Sequence, residues 1–187
     1  MPIYDKKTLN EYLSIEFQQY GKTRYTFPIL KITEKQILCR HTYLLRKAEY
    51  HMNVGHKLRE KIYKILLYRI QNKYHLHVPL NCCKKGLKIM HVAPVLINPR
   101  AKIGEYCSLH SNSSIVAGGR NNGVPTIGDG VVIGVGAVVL GDIQIANYIA
   151  IGANAVVNKS FLEENVAIAG VPAKKISENG RMSWKNN

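Results

Sequence analysis

No apolar run in the chain approaches the ~20 residues a membrane-spanning helix needs, which excludes a span of that kind. The N-terminus, Met1–Asn10, carries Asp5, Lys6 and Lys7 where a secretory signal would hold its apolar stretch. A cytoplasmic protein is therefore the expectation. Cysteine is scarce: Cys39, Cys82, Cys83 and Cys107 are the full set, and in a reducing compartment they read as free thiols rather than a disulfide framework. Acid is scarcer than base, with 12 Asp and Glu against 26 Lys and Arg and a formal net charge of +14 over 187 residues.

That charge is uneven. Residues 1–85 hold 17 Lys/Arg and 6 Asp/Glu, a net of +11, whereas residues 86–187 hold 9 and 6, a net of +3. Glycine divides the chain the other way, with 13 of 15 in the second part. The composition places a boundary near residues 75–85, and with the extent of the resemblance given below the expected regions are 1–78, 79–176 and a short tail over 177–187.

The first region has helical periodicity. Thr8-x-x-Glu11 and Thr33-x-x-Gln36 each fit a capping box. Leu9, Leu13, Phe17 and Tyr20 keep helical spacing after the first, and Ile37, Leu38, Leu44, Leu45 and Ala48 do so after the second. Gly21 and Pro28 separate them. Past Gly55, Leu58, Ile62, Ile65, Leu66 and Ile70 define a third apolar stripe, flanked by Lys57, Arg59, Lys61, Lys64, Arg69 and Lys73 among tyrosines. This basic flank suits a solvated helix face, or a contact with a membrane surface or polyanion. No nucleic-acid recognition motif accompanies it.

The second region repeats every six residues. Aliphatic lead residues run Ile97, Ile103, Leu109 and Ile115, then resume at Ile127, Ile133, Val139, Ile145, Ile151 and Val157. A helix face would repeat at three or four and a strand at two. Period six means short strands joined by tight turns, stacked as coils of a parallel β-helix with the lead side chains inward. The residue two before the lead is usually small or aliphatic (Ala101, Cys107, Ser113, Val131, Ala137, Ile143, Ile149, Ala155). Only 116–126 breaks register, and it is expected to project as a loop. The fold class expected is mainly β, a parallel β-helix with a basic α-helical N-terminal part.

The stretches G-L-K-I-M-H (86–91), N-P-R-A-K-I-G (98–104), I-G-D-G-V-V-I-G-V-G-A-V-V-L-G-D-I (127–143), I-G-A-N-A-V-V-N-K-S-F (151–161) and A-G-V-P-A-K-K-I (169–176) carry a family resemblance. Between about residues 79 and 176 the chain resembles the hexapeptide-repeat acyltransferases, whose repeat winds into a left-handed β-helix. It looks most like the serine acetyltransferase branch, in its short form associated with cell-surface polysaccharide synthesis. The ending A-G-V-P-A-K is the most specific of these matches. The resemblance implies an acetyl group carried from acetyl-coenzyme A to a hydroxyl, with no metal, in a homotrimer whose coenzyme groove lies between subunits.

Such chemistry needs a base for the acceptor hydroxyl and donors for the oxyanion. Histidine suits the base because it titrates near neutrality. His91 takes the place of the family's catalytic histidine and, six before Ile97, stands in a lead slot. His110, 19 residues on, is expected on the neighbouring coil as a wall of the acceptor pocket. For the donor, Gly134, Val135, Gly136, Gly152 and Ala153 would leave backbone open to the pantetheine arm. Gly118 and Gly119 would begin the covering loop, and Lys159, Lys174 and Lys175 would meet the phosphates.

The chain departs from the serine acetyltransferase pattern. Met90 and Leu76 stand where that pattern has aspartates around the catalytic histidine, and Val124 stands where it has a serine-binding histidine in the loop. A backbone carbonyl is then expected to orient the base. A sugar hydroxyl, on a soluble or lipid-linked precursor, is expected over serine, with the basic helices at the inner face of a membrane. Serine O-acetylation and a catalytically silent β-helix scaffold are the alternatives. A zinc enzyme on the same fold would need three histidines, and residues 92–187 hold only His110. The run His75–Cys83 would have to place adjacent cysteines on one tetrahedral ion, a poor zinc site.

Overall fold

The computed structural model describes residues 2–23, 33–119 and 122–182. Pro28, Arg120 and Asn121 of the expected loop, and the last five residues of the tail lie outside them. Helix α1 (Lys6–Gln18) opens at Asp5, whose carboxylate accepts the Thr8 backbone N–H at 2.9 Å. This corrects the capping box expected at Thr8 and Glu11. The Asp5 side chain captures that N–H a turn earlier, so both residues lie inside the helix. Helix α2 (Glu34–Asn53) begins as expected, with Thr33 and Gln36 capping reciprocally. Gly55, at φ +78°, turns the chain into α3 (Lys57–Tyr74).

Leu9, Leu13 and Phe17 of α1 and Tyr20 just after it are buried as their spacing selects, as are Leu38, Leu44, Leu45 and Ala48 of α2, while Ile37 is only half-buried. Helix α3 differs. Its buried residues are Leu67, Ile70 and Gln71, while Leu58, Ile62 and Ile65 of the expected stripe face solvent. Gln71 donates its amide to the Val78 carbonyl at 2.7 Å, and this bond fixes the rotation of α3 on the body.

Fourteen short strands follow among the described residues. The first seven are β1 (Leu76–His77), β2 (Lys88–Ile89), β3 (Val95–Ile97), β4 (Lys102–Ile103), β5 (Ser108–Leu109), β6 (Ser113–Val116) and β7 (Thr126–Ile127). The rest are β8 (Val132–Ile133), β9 (Val138–Leu140), β10 (Gln144–Ile145), β11 (Ala150–Ile151), β12 (Val156–Val157), β13 (Ala167–Ala169) and β14 (Lys174–Ser177). They form the three faces of a prism: β1-β3-β6-β9-β12, β10-β7-β4, and β14-β13-β11-β8-β5-β2. All pairings are parallel except β13 with β14. The fold is the left-handed β-helix preceded by helices.

The expected lead residues stack in register. Ile97, Ile115, Val139 and Val157 form one column, Ile103, Ile127 and Ile145 a second, and Leu109, Ile133 and Ile151 a third. All ten are at most 3% exposed, so the solenoid interior is a dry aliphatic stack.

A buried ion cluster fastens the helices to the solenoid. Arg46 of α2, with no exposed side-chain surface, meets Glu16 of α1 at 2.6 Å and Glu49 at 2.9 Å. Its remaining donors reach the carbonyls of Cys83 and Lys84 at 3.0 and 2.9 Å, and Glu16 accepts the Leu87 N–H at 3.2 Å. Burial opposes the charge on Arg46, but the two carboxylates outweigh it and hold the guanidinium protonated, well above its ordinary pKa. Replacing Arg46 by Met strands two buried carboxylates and is expected to cost about 3–5 kcal/mol in denaturant unfolding.

His41 of α2 is fully buried, bonded to the Leu76 backbone, and its Nε2 has no partner among the described residues. Burial pushes its pKa down to about 4, against an ordinary 6.5. A neutral imidazole is thus required in the folded state. The stability it contributes is full above pH 6.5 and is lost as pH falls toward 4. Thermal melts between pH 7 and 4 should show this slope, on the order of 3 kcal/mol in total, and His41→Gln should flatten it.

Candidate functional site

The site is built at the edge where the β2-β5-β8-β11-β13 face meets the β3-β6-β9-β12 face. Tyr20, just past α1, anchors its upper end: its hydroxyl donates to the Ile89 carbonyl and accepts the Ile89 N–H, both at 3.1 Å. Strand β2 then pairs with β5 as Lys88↔Ser108 and Ile89↔Leu109, an offset of 20 residues. The regular coils below are offset by 18, as in Val132↔Ala150. Two extra residues in the first coil therefore move the lead slot to Ile89, 2% exposed. This corrects the placing of His91 in a lead slot: it lies two residues past the inward position, with its side chain 61% exposed.

His91 Nδ1 lies 3.4 Å from Glu34 Oε1. The same carboxylate oxygen accepts the Val92 N–H at 2.8 Å, which fixes it beside the imidazole. Glu34 is the first residue of α2, placed by the Thr33–Gln36 cap. The expectation that a backbone carbonyl orients the imidazole is thus corrected, since a carboxylate from another element stands there. No signal near His91 in the chain announces it, for 57 residues separate the two. Leu76 is a core residue of β1, 0% exposed, and Met90 is half-buried above His110.

His110 follows β5 directly, one coil on from Met90, whose N–H donates to the Leu109 carbonyl at 2.9 Å. The two histidines are brought to the same edge. His110 is half-buried, and its pKa is lowered first by burial, then by the charges of His91 and Lys88.

Below His110 the same edge continues through Gly134, Gly152 and Ala169, each one residue past a lead of the column. A side chain at Gly134 would meet the Ile151 carbonyl oxygen at 2.6 Å, so only hydrogen fits there. Val135 and Ala153 stand exposed beside this column. Ala169 pairs with Lys174 across β13 and β14, so an exposed ammonium closes the column. From His110 to Lys174 is four strand spacings, about 19 Å.

The other residues expected at the donor site lie elsewhere on the chain. Gly118 and Gly119 begin the loop at the far end of β6, where Gly118 pairs with Gly123 and Arg100 donates to the Asn122 carbonyl at 2.6 Å. Lys159 follows β12 on that second edge, its ammonium 5.4 Å from the Phe161 ring centre. Lys175 bridges Glu163 and Glu178 at 2.6 and 2.7 Å, so its charge is compensated where that of Lys174 is not by any ion pair among the described residues. Within one chain, then, His91, His110, Gly134, Val135, Gly136, Gly152, Ala153 and Lys174 share an edge, and Gly118, Gly119 and Lys159 share another.

Solved structures with this fold include a serine acetyltransferase from Brucella abortus in complex with coenzyme A, with a TM-score of 0.67, 24% identity, and 94% of this chain and 70% of that one covered. The soybean serine acetyltransferase apoenzyme superposes with a TM-score of 0.69 at 21% identity, covering 91% and 70%. Among curated sequences, the serine acetyltransferase of Buchnera aphidicola is 31% identical over 137 residues, 71% of this chain and 48% of its own length. That of Synechococcus elongatus is 34% identical over 98 residues, 51% and 40%. No family model matches the chain. The chain is a left-handed β-helix protein of the hexapeptide-repeat type. More narrowly, it is homologous to serine acetyltransferases, and it spans less than half the length of these curated relatives.

Burial and the neighbouring cations both disfavour a charged His110. Its imidazole C–H resonance should titrate below the ordinary 6.5. In His91→Asn the midpoint should rise part of the way, because burial remains.

Proposed function

We propose that this protein transfers an acetyl group from acetyl-coenzyme A to a hydroxyl, with His91 as general base and Glu34 holding it. The observation that carries the reading is the Glu34–His91 pair at the head of an edge of small residues. Nδ1–H turned to the Glu34 carboxylate leaves Nε2 with its lone pair toward solvent, the tautomer a base needs. As the acceptor oxygen attacks the thioester carbon, its proton passes to Nε2 and a C–O bond forms. The C–S bond then breaks, and the imidazolium returns the proton to the departing thiolate. His110, kept neutral by burial, can line the acceptor side without repelling the imidazolium that forms.

The residues suit the donor. Below His110, Gly134 and Gly152 give an extended arm a smooth edge, and Lys174 at its foot offers a charge to phosphate. Gly118, Gly119 and Lys159 join this groove only if a second chain supplies their edge, which is what a cyclic homotrimer does. Acetyl-coenzyme A as donor agrees with relatives named serine acetyltransferases and with the coenzyme A complex of the Brucella protein.

For the acceptor, those names favour serine over the sugar hydroxyl expected from the sequence. The specific observation that keeps a sugar or polysaccharide precursor as the second reading is Val124, a half-buried apolar residue in the loop where the serine acetyltransferase pattern has a histidine.

Release of free thiol from acetyl-coenzyme A, screened against serine, nucleotide-sugars and polysaccharide repeats, tests the activity. His91→Ala should then lose roughly 10²–10⁴ in kcat with little change in KM for the donor. Glu34→Gln, which keeps a carbonyl for Val92, should lower kcat by a smaller factor. Wild-type kcat in His91→Ala would end the base assignment, and wild-type kcat in Glu34→Gln alone would leave the base but remove its partner.

A further inference from the structure

Helix α3 turns an apolar stripe to solvent. Leu58 is 74% exposed, and Ile62, Ile65 and Tyr68 are 46–48% exposed. At 100° per residue, Leu58, Ile62 and Ile65 fall within about 60° of arc. Lys61 and Lys73 flank them about 60° to either side, and Lys57 and Arg59 lie further round, while Arg69 falls on the stripe itself. The opposite face is fully committed, through Leu67, Ile70 and the Gln71–Val78 hydrogen bond, so the stripe cannot rotate inward. The only acid on the helix, Glu60, is turned toward the body, its side chain 14% exposed, and is paired with Lys64 at 3.0 Å.

From this geometry we infer that α3 is a docking face for an anionic phospholipid bilayer. An apolar centre with a basic margin on both sides is the distribution that seats a helix in the plane of a membrane, its aliphatic residues among acyl chains and its cations on phosphate. A two-fold pairing with a second copy of the chain does not suit this face. A two-fold contact would set the six cations of one α3 against the same six of its mate, with a single acid on each already engaged. The groove between α2 and α3, about 200 Å³, runs along one margin of the stripe and has Arg40, Arg69 and Lys73 in its lining. Its lining sets Ile37, Leu66 and Ile70 beside those cations, room for a short piece of one acyl chain next to a phosphate. Ile37 sits three residues from Glu34, so a docked α3 would bring the His91 edge near the membrane.

Co-sedimentation of the full-length protein with vesicles tests this. Vesicles of phosphatidylcholine with phosphatidylglycerol should retain the protein at least about tenfold more than phosphatidylcholine alone, less at high salt. Ile62→Asn/Ile65→Asn, which leaves the charge unchanged, should lower retention about tenfold, and Lys61→Glu/Arg69→Glu should lower it as well. Circular dichroism and light scattering should show unaltered helicity and mass in both variants. No preference for the anionic vesicles would overturn the inference, as would full retention of the Ile62/Ile65 variant, the mark of adsorption by charge alone. Loss of assembly mass in that variant would also overturn it, by making the stripe a contact between copies.

Discussion

The guanidinium of Arg46 is the point through which the two halves of the molecule act on each other. It carries a charge into a region without water, where it is stable only because Glu16, Glu49 and two carbonyls of the first coil surround it. Those partners come from α1, from α2 itself and from the chain at Cys83 and Lys84, so one residue sets the positions of α1, α2 and residues 83–87 together. The consequence reaches the site. Tyr20 holds Ile89 and Glu34 holds Val92, so both contacts on either side of His91 come from helices whose placement depends on that cluster.

The solenoid obeys a simpler rule. Its interior is aliphatic and its coils repeat, so its cohesion is spread over many equal contacts and no single residue governs it. The site lies where these two regimes meet. Ile133 and Ile151 follow the repeat, while His91 belongs to a first coil two residues longer than the regular 18. Irregularity there frees a side chain from the stack, and the helices then give it a partner.

This division also explains what could be read from the chain. A period of six in ten aliphatic residues states the solenoid openly, because each lead meets its equivalent one coil away and local spacing is the whole of the constraint. The Thr33 cap was legible for the same reason, being a four-residue interaction. His91 in a lead slot was a misreading that the same logic produced, since counting back by sixes assumes a coil of regular length. Glu34 was out of reach, because its distance to His91 depends on how α2 docks and not on any spacing. So was the outward face of α3: an apolar stripe looks the same in sequence whether it is buried or exposed, and the face that docks is the one holding Leu67, Ile70 and Gln71. Of the residues expected at the donor site, Gly134, Val135, Gly136, Gly152 and Ala153 follow the repeat along one edge, with Lys174 at its foot, whereas Gly118, Gly119 and Lys159 lie on another, because the spacing of a coil shows which residues share an edge and not which edges share a ligand.

One feature at the foot of the solenoid bears on how the protein behaves in a crowded cell. Strand β14 runs against the direction of every other strand and covers the outer edge of β13, while Arg181 and Gly180 donate their N–H groups to the Tyr148 and Asn165 carbonyls. The helices cover the opposite end. A parallel β-helix left open would offer each end as a template for the next molecule, and coils could add without limit into a fibre. A reversed strand presents the wrong polarity for another coil to continue. The growth of the stack therefore terminates within the chain, and copies are left to associate side by side, along the faces and edges where the glycine column and the loop are found.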